Sequence, residues 1–171
     1  GRSLTLDLPF ERYQARKIRI KLEIDTNPPL GSTFTTNYIT FPVTAPLTTQ
    51  SLHSGFALKL HALLCRSYVK GRDWYDFVWY IAHKIAPDLD LLGRALHQQG
   101  PWAGEPIVVS MEWVREHVQA AIRRIDWGVA RDDVQRFLPV VEQEGLRIWC
   151  ADFFLQQLSH INDKATKRGL H

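Results

Sequence analysis

Sulfur is scarce in this chain, with two cysteines and one methionine among 171 residues. Such a count argues against a disulfide-stapled secreted scaffold. Cys65 and Cys150 both stand in helical apolar context (Leu63-Leu64-Cys65, Ile148-Trp149-Cys150) and read as reduced core thiols of a cytosolic protein. Zinc-ligand spacing is missing too: the seven histidines form no His-x-x-x-His pattern and the cysteines no Cys-x-x-Cys, so no zinc site is expected. No apolar run approaches the roughly 20 residues of a membrane span, and no signal peptide opens the chain, so the expectation is a soluble cytoplasmic protein with no membrane partner. GxxxxGK[ST] and GxGxxG loops are absent, as is a nucleophile elbow, and His53, His61 and His83 have no nucleophile beside them. Repeats, low-complexity tracts and long linkers are also missing.

What is present is a chain rich enough in apolar residues for one real core. The sequence is 45% hydrophobic, with six tryptophans and eight phenylalanines; a chain near this length buries roughly 70% of its unfolded surface. The net charge of +3 and a pI near 9.0 are weakly basic and compatible with an anionic ligand.

The first 45 residues carry strand patterning. Ile18, Ile20, Leu22 and Ile24 alternate with Arg19, Lys21, Glu23 and Asp25, and Leu4, Leu6 and Leu8 alternate upstream, predicting an antiparallel pair joined through residues 9–16. Thr35 to Val43 is a third predicted strand. From about residue 48 the periodicity becomes helical. Helices are predicted over Leu52–Tyr68, Asp73–Ala86 (with Asp73 as N-cap and Gly71 in the turn), Asp88–Gln99, Ser110–Ile125, Val134–Glu142 and Leu146–His160. The chain divides on this reading into a β-rich part over 1–47, a helical region over 48–163 and a basic tail over 164–171.

One cluster resists an account in terms of solubility and packing. Lys59 interrupts an apolar stretch, Arg66 follows seven residues on, and Lys70-Gly71-Arg72-Asp73-Trp74-Tyr75-Asp76 comes after a short link. A hairpin of the two helices brings these cations and carboxylates together. The cluster can hold phosphate and order acid/base groups, or it can be an ion-paired hairpin and nothing more. Glu23 and Asp25, sharing a strand face with Lys21, can present oxygen ligands to Mg²⁺ or form a solvated polar face. Tyr13, Tyr68 and Tyr75 read as packing or surface groups, and Trp74, Phe77, Val78 and Ile81 as core.

Three segments taken together resemble the AbiEii/AbiGii nucleotidyltransferase toxins: Arg19-Ile20-Lys21-Leu22-Glu23-Ile24-Asp25-Thr26, Lys59-Leu60-His61-Ala62-Leu63-Leu64-Cys65-Arg66, and Lys70 to Asp76. The family pattern is a strand of Lys-x-Glu-Ile type, a Lys-Leu-x-Ala-Leu-x-x-Arg helix and an Arg-Asp-x-x-Asp helix start, matched in order and spacing over residues 17–86. The resemblance implies an α+β fold, a short antiparallel sheet remnant of a nucleotidyltransferase-like domain followed by a helical bundle. It implies transfer of a nucleotidyl group from an NTP, with release of pyrophosphate, by a toxin of a toxin–antitoxin or phage-defence system, with tRNA as a possible acceptor and a cognate antitoxin as partner. Carried over, Glu23 supports the metal, Lys59 contacts the triphosphate, Asp73 and Asp76 complete the catalytic cluster, and Arg66 and Arg72 are phosphate or structural partners. The family signature also includes an upstream Gly-Gly-Ser/Thr turn and an Asp-x-Asp pair, neither of which occurs before residue 17. The 171 residues therefore read as the later portion of a longer protein, with Mg²⁺ expected only alongside that missing acidic motif and little or no catalysis expected from this chain alone. The competing expectation is a non-catalytic helical module that binds RNA or a protein partner.

Overall fold

A computed structural model describes the backbone of residues 2–6 and 18–22 and the whole of residues 25–163. The predicted link at 9–16, Glu23 and the tail at 164–171 lie outside the described residues. The chain is α+β, as its patterning predicts. Strands β1 (Arg2–Leu6) and β2 (Ile18–Leu22) pair antiparallel, with Leu4 opposite Ile20. A second antiparallel hairpin joins β3 (Phe34–Ile39) to β4 (Ala45–Gln50).

The third strand is shorter than the predicted Thr35–Val43, and a fourth, unpredicted strand follows it and contains Pro46. In a two-stranded hairpin every strand is an edge, and an edge tolerates a proline. Pro46 sits opposite Tyr38, and Thr36 and Thr48 meet across the pair at 3.3 Å. The hairpin is tied to the first helix through hydroxyls. Ser51 caps that helix, Thr33 N–H donates to the buried Ser54 Oγ at 3.0 Å, and Ser51 N–H donates to Thr33 O at 2.8 Å.

Seven helices follow among the described residues: α1 (Leu52–Cys65), α2 (Gly71–Ala82), α3 (Leu89–Gln98), α4 (Met111–Arg124), α5 (Trp127–Gln135), α6 (Val140–Gln143) and α7 (Ala151–Ser159), with a 3-10 turn over Glu144–Ile148 before α7. None is long and apolar enough to cross a membrane. Asp88 and Ser110, where the third and fourth helices are predicted to begin, cap α3 and α4, their side chains accepting from Leu91 N–H and Trp113 N–H. Elsewhere the boundaries moved. Helix α1 stops at Cys65 because Arg66 turns extended. Helix α2 starts at Gly71, two residues early, so Asp73 is inside the first turn and its carboxylate is not a cap. The predicted helix over Val134–Glu142 is cut by Pro139, which instead opens α6. Cys150 is exposed at the start of α7, and the side chains that fill the core there are Trp149 and Phe154. Cys65 is half-buried, and burial pushes its thiol up to about 11, leaving it protonated and inert at neutral pH.

Helix α2 lies at the centre of the helical region, contacting α1, α5 and α7. Of its predicted apolar stripe, Trp74, Phe77 and Ile81 are buried and Val78 is half-buried against the core. Trp74 meets Trp127 edge-on at 5.1 Å and Phe154 at 5.4 Å, while Trp127 stacks on Phe154 at 4.1 Å. The α2–α5 contact depends on Gly71. A Cβ there would fall inside van der Waals contact of the Ala130 carbonyl and 3.1 Å from the Val134 Cβ. Its N–H donates to Asp133 Oδ2 at 2.9 Å. Gly71→Ala is therefore expected to cost about 2–3 kcal/mol and to lower Tm by roughly 5–10 °C. Gly145→Ala, where a Cβ would meet nothing within 4 Å, should leave Tm unchanged in the same thermal melts.

Candidate functional site

Helix α1 carries one formally charged residue, Lys59, between the fully buried Phe56 and Leu60. Its stem runs along the apolar seam, and the ammonium reaches α2 at the edge of the core. There Nζ lies 2.8 Å from Asp73 Oδ1 and 2.8 Å from Asp76 Oδ2. The carboxylates share a face because they are three residues apart on a helix. Arg66, just past the end of α1, brings Nε to 3.0 Å from Asp73 Oδ2. Four of the six candidate residues are thus gathered at one place, joined by the link from Arg66 to Lys70.

The members differ in exposure, and the difference sets their roles. The Asp73 side chain is 4% exposed, that of Asp76 46% and that of Lys59 23%. Asp73 is a buried charge held by two cations. Its Oδ2 is at ion-pair distance from Arg66 but off the hydrogen-bond direction, so that oxygen has no hydrogen bond. Arg66 spends Nη1 on the Tyr68 hydroxyl at 2.7 Å and lies over the Tyr68 ring at 5.5 Å. Burial pulls the Lys59 ammonium down, but hydrogen bonds and charges from Asp73 and Asp76 outweigh it and hold its pKa above the ordinary 10.5.

Arg72 is not brought to this cluster. Its guanidinium lies 4.7 Å over the Phe137 ring, which Arg136 also approaches at 4.8 Å, on the α5 side of α2. The reason is the early helix start, which places Arg72 on the outer face while Asp73 turns inward. Tyr75 is a fastener, its hydroxyl donating to Glu142 at 2.8 Å. Asp25, in an exposed turn, accepts from Asn27 N–H at 3.0 Å and lines a cavity of about 480 Å³ shared with Arg66. Glu23 is outside the described residues.

Among the described residues no three His, Cys, Asp or Glu side chains are grouped to hold a metal ion. Asp73 and Asp76 already take the Lys59 ammonium between them, so they do not fit a Mg²⁺ cage as they stand. What the cluster can do is present one cation, oriented from two sides, at a partly open edge.

That edge borders a cleft of about 530 Å³ between the α1–α2 link and the ends of α3 and α4, where Arg66 and Asp73 share the lining with Lys70, Arg124, Tyr68 and Trp102. Arg124 and Trp102 were invisible as site residues in the sequence. Arg124 closes an amphipathic helix like any C-terminal arginine, and only the packing of α4 turns it toward the cluster.

Removing one partner of a buried pair strands the other, so Lys59→Met should destabilise by about 3–5 kcal/mol, and Asp76→Asn by about 1 kcal/mol or less. The double variant Lys59→Met/Asp73→Leu should recover most of the loss, since matched apolar side chains can replace a buried ion pair. Because the folded pKa of Lys59 is raised, its contribution is complete below the unfolded value near 10.5 and is lost as pH rises through the higher folded value. Chemical denaturation of wild type and Lys59→Met should give a gap that is flat through neutral pH and narrows only in strong alkali. A gap that closes near neutrality would show that the pairing is not the source.

The family model described as nucleotidyl transferase AbiEii toxin, type IV toxin–antitoxin system, matches residues 1–156. No curated protein and no solved structure matches the chain. The match spans both hairpins, the four clustered residues and nearly all of the helical region, so the chain belongs to the AbiEii nucleotidyltransferase toxin family of type IV toxin–antitoxin systems.

Proposed function

We propose that this toxin transfers a nucleotidyl group from an NTP to an RNA acceptor, with tRNA the leading example, and that the α1–α2 cluster is the part of its active centre carried by the described residues. The observation that supports this most is Lys59, clamped at 2.8 Å by both Asp73 and Asp76, with Asp73 and its other partner Arg66 lining an open cleft. As a fold-stabilising device such a cluster is inefficient, because desolvating two charges costs several kcal/mol that apolar side chains would not. As a device for phosphoryl-type chemistry it is apt, since that chemistry needs charge positioned before the substrate arrives.

In this reading the acceptor hydroxyl oxygen attacks the α-phosphorus, the bond from that phosphorus to the β-bridging oxygen breaks, and pyrophosphate leaves. Asp76, the exposed carboxylate, can exchange Lys59 for substrate and take the hydroxyl proton. Asp73, buried, stays to hold Lys59 against the triphosphate, and Arg66 keeps Asp73 charged and in place. Mg²⁺ and its support by Glu23 enter this reading from the family alone. Membership also implies a cognate antitoxin in the same system, and a role in phage defence is part of the proposal.

The test is label transfer from each of the four NTPs to total RNA by the complete gene product with Mg²⁺ present. Lys59→Met/Asp73→Leu should fold but lose at least about 10²-fold in rate. A wild-type protein that labels no RNA with any NTP, or a double variant that keeps its rate, would sink the proposal. Salt-dependent RNA binding without transfer would favour the non-catalytic module.

A further inference from the structure

We infer that the cleft between the α1–α2 link and the end of α4 is a subsite for the unpaired strand of the acceptor, separate from the site for the triphosphate. The role given to that strand rests on the transferase reading above; the binding itself rests on the cleft.

Two cations stand at the cleft without an anionic partner among the described residues. Lys70 precedes α2 and Arg124 ends α4, and neither forms an ion pair among the described residues; Arg124 Nε donates only to the Ala120 carbonyl, at 3.2 Å. Both line the same 530 Å³ space, one from the link and one from α4. Charges set apart on separate elements suit a backbone with one charge per nucleotide. A triphosphate carries its charge compactly and needs carboxylates to bring its metal. Asp73, the one carboxylate in the lining, faces Lys59 and Arg66.

Beside the buried Trp74, two more accessible aromatic rings line the space and are fixed in orientation. Tyr68, 62% exposed, is held by the Arg66 guanidinium through its hydroxyl and over its face. Trp102 is braced edge-on by Trp113 at 5.3 Å. Fixed rings beside unpaired cations are how sequence-tolerant single-strand sites are built, because every base has a face to stack. A duplex hides those faces. The cleft opens beside Asp73 and Arg66, so a strand lying in it delivers its end to the cluster.

The test is fluorescence anisotropy of the 171-residue chain with a labelled, unstructured oligoribonucleotide of about eight nucleotides. Lys70→Gln/Arg124→Gln should weaken binding about tenfold and reduce the magnitude of the salt slope by about 1.4, two single-strand phosphate contacts. Lys70→Arg/Arg124→Lys should keep both within about twofold of wild type. Tyr68→Ala should weaken binding at least about fivefold with the salt slope unchanged, and Tyr68→Phe should restore it. The inference is overturned if the Gln variant binds like wild type, if a duplex competes as well as the single strand, or if inorganic tripolyphosphate at matched ionic strength displaces the strand mole for mole. Failure of the transferase reading looks different: the strand binds with the pattern above, but no nucleotide is transferred. Lys59-dependent transfer that ignores Lys70 and Arg124 keeps the transferase and removes the cleft.

Discussion

Asp73 is a carboxylate with almost no access to water, and the way its charge is met fixes how α1 and α2 lie against each other. From Thr26 to Leu58 there is no Asp, Glu, Lys or Arg, and within α1 Lys59 is alone. Lys59 therefore has no counter-ion on its own helix, and the cation beside Asp73 in the first turn of α2, Arg72, lies over Phe137 instead. Each finds its partner across the hairpin, with Arg66 meeting Asp73 from the other side. A buried charge left unpaired costs several kcal/mol, so the helices cannot slide or rotate past one another without breaking this contact. The pairing thus fixes the register of the hairpin more firmly than apolar contacts between leucines could.

The rest of the helical region is arranged so that α2 can present Asp73 in this way. Helix α2 starts two residues before the acid because Gly71 lets α5 approach to backbone contact, and Asp133 accepts from the Gly71 N–H at that start. The early start turns Asp73 inward and sends Arg72 outward onto Phe137. On the far face Trp74 packs into Trp127 and Phe154, which hold α5 and α7 against α2. The Tyr75 hydroxyl closes the next turn onto Glu142. A glycine on α2 and an aromatic cluster on three helices therefore determine where a carboxylate points.

Much of this was legible in the sequence. The period-two alternation of β1 and β2, the helix starts at Asp88 and Ser110 and the apolar stripe of α2 are local signals, and local signals survive folding. The hairpin that joins Lys59, Arg66, Asp73 and Asp76 was legible as well, because the link is too short to allow another arrangement. What failed depended on neighbours distant in sequence. Asp73 has the chemistry of an N-cap, and only the fit of Gly71 against Ala130 shows that the helix begins earlier. Arg72 has the same charge as Arg66 and sits beside the acids in sequence, yet a one-residue step on a helix turns it about 100° away. Cys150 follows a buried tryptophan and reads as core, but it lies at a helix start, where the chain is still extended.

The distribution of charge links fold to function more closely than the net charge of +3 suggests. The β3–β4 hairpin and most of α1 are formally uncharged. Within the cluster Lys59 and Arg66 balance Asp73 and Asp76, so it exerts little long-range pull of its own. On the proposed reading, attraction for a polyanion comes from cations that are not balanced, Lys70 and Arg124 at the adjoining cleft. The separation is useful to a transferase. A balanced cluster can be rigid and pre-oriented without trapping phosphate, while on the proposed reading unbalanced cations at the adjoining cleft would gather the strand and leave the chemistry undisturbed. Had the same positive charge been placed within the cluster, Asp73 would be over-neutralised, and Lys59 would be free to follow the incoming phosphates instead of being held against them.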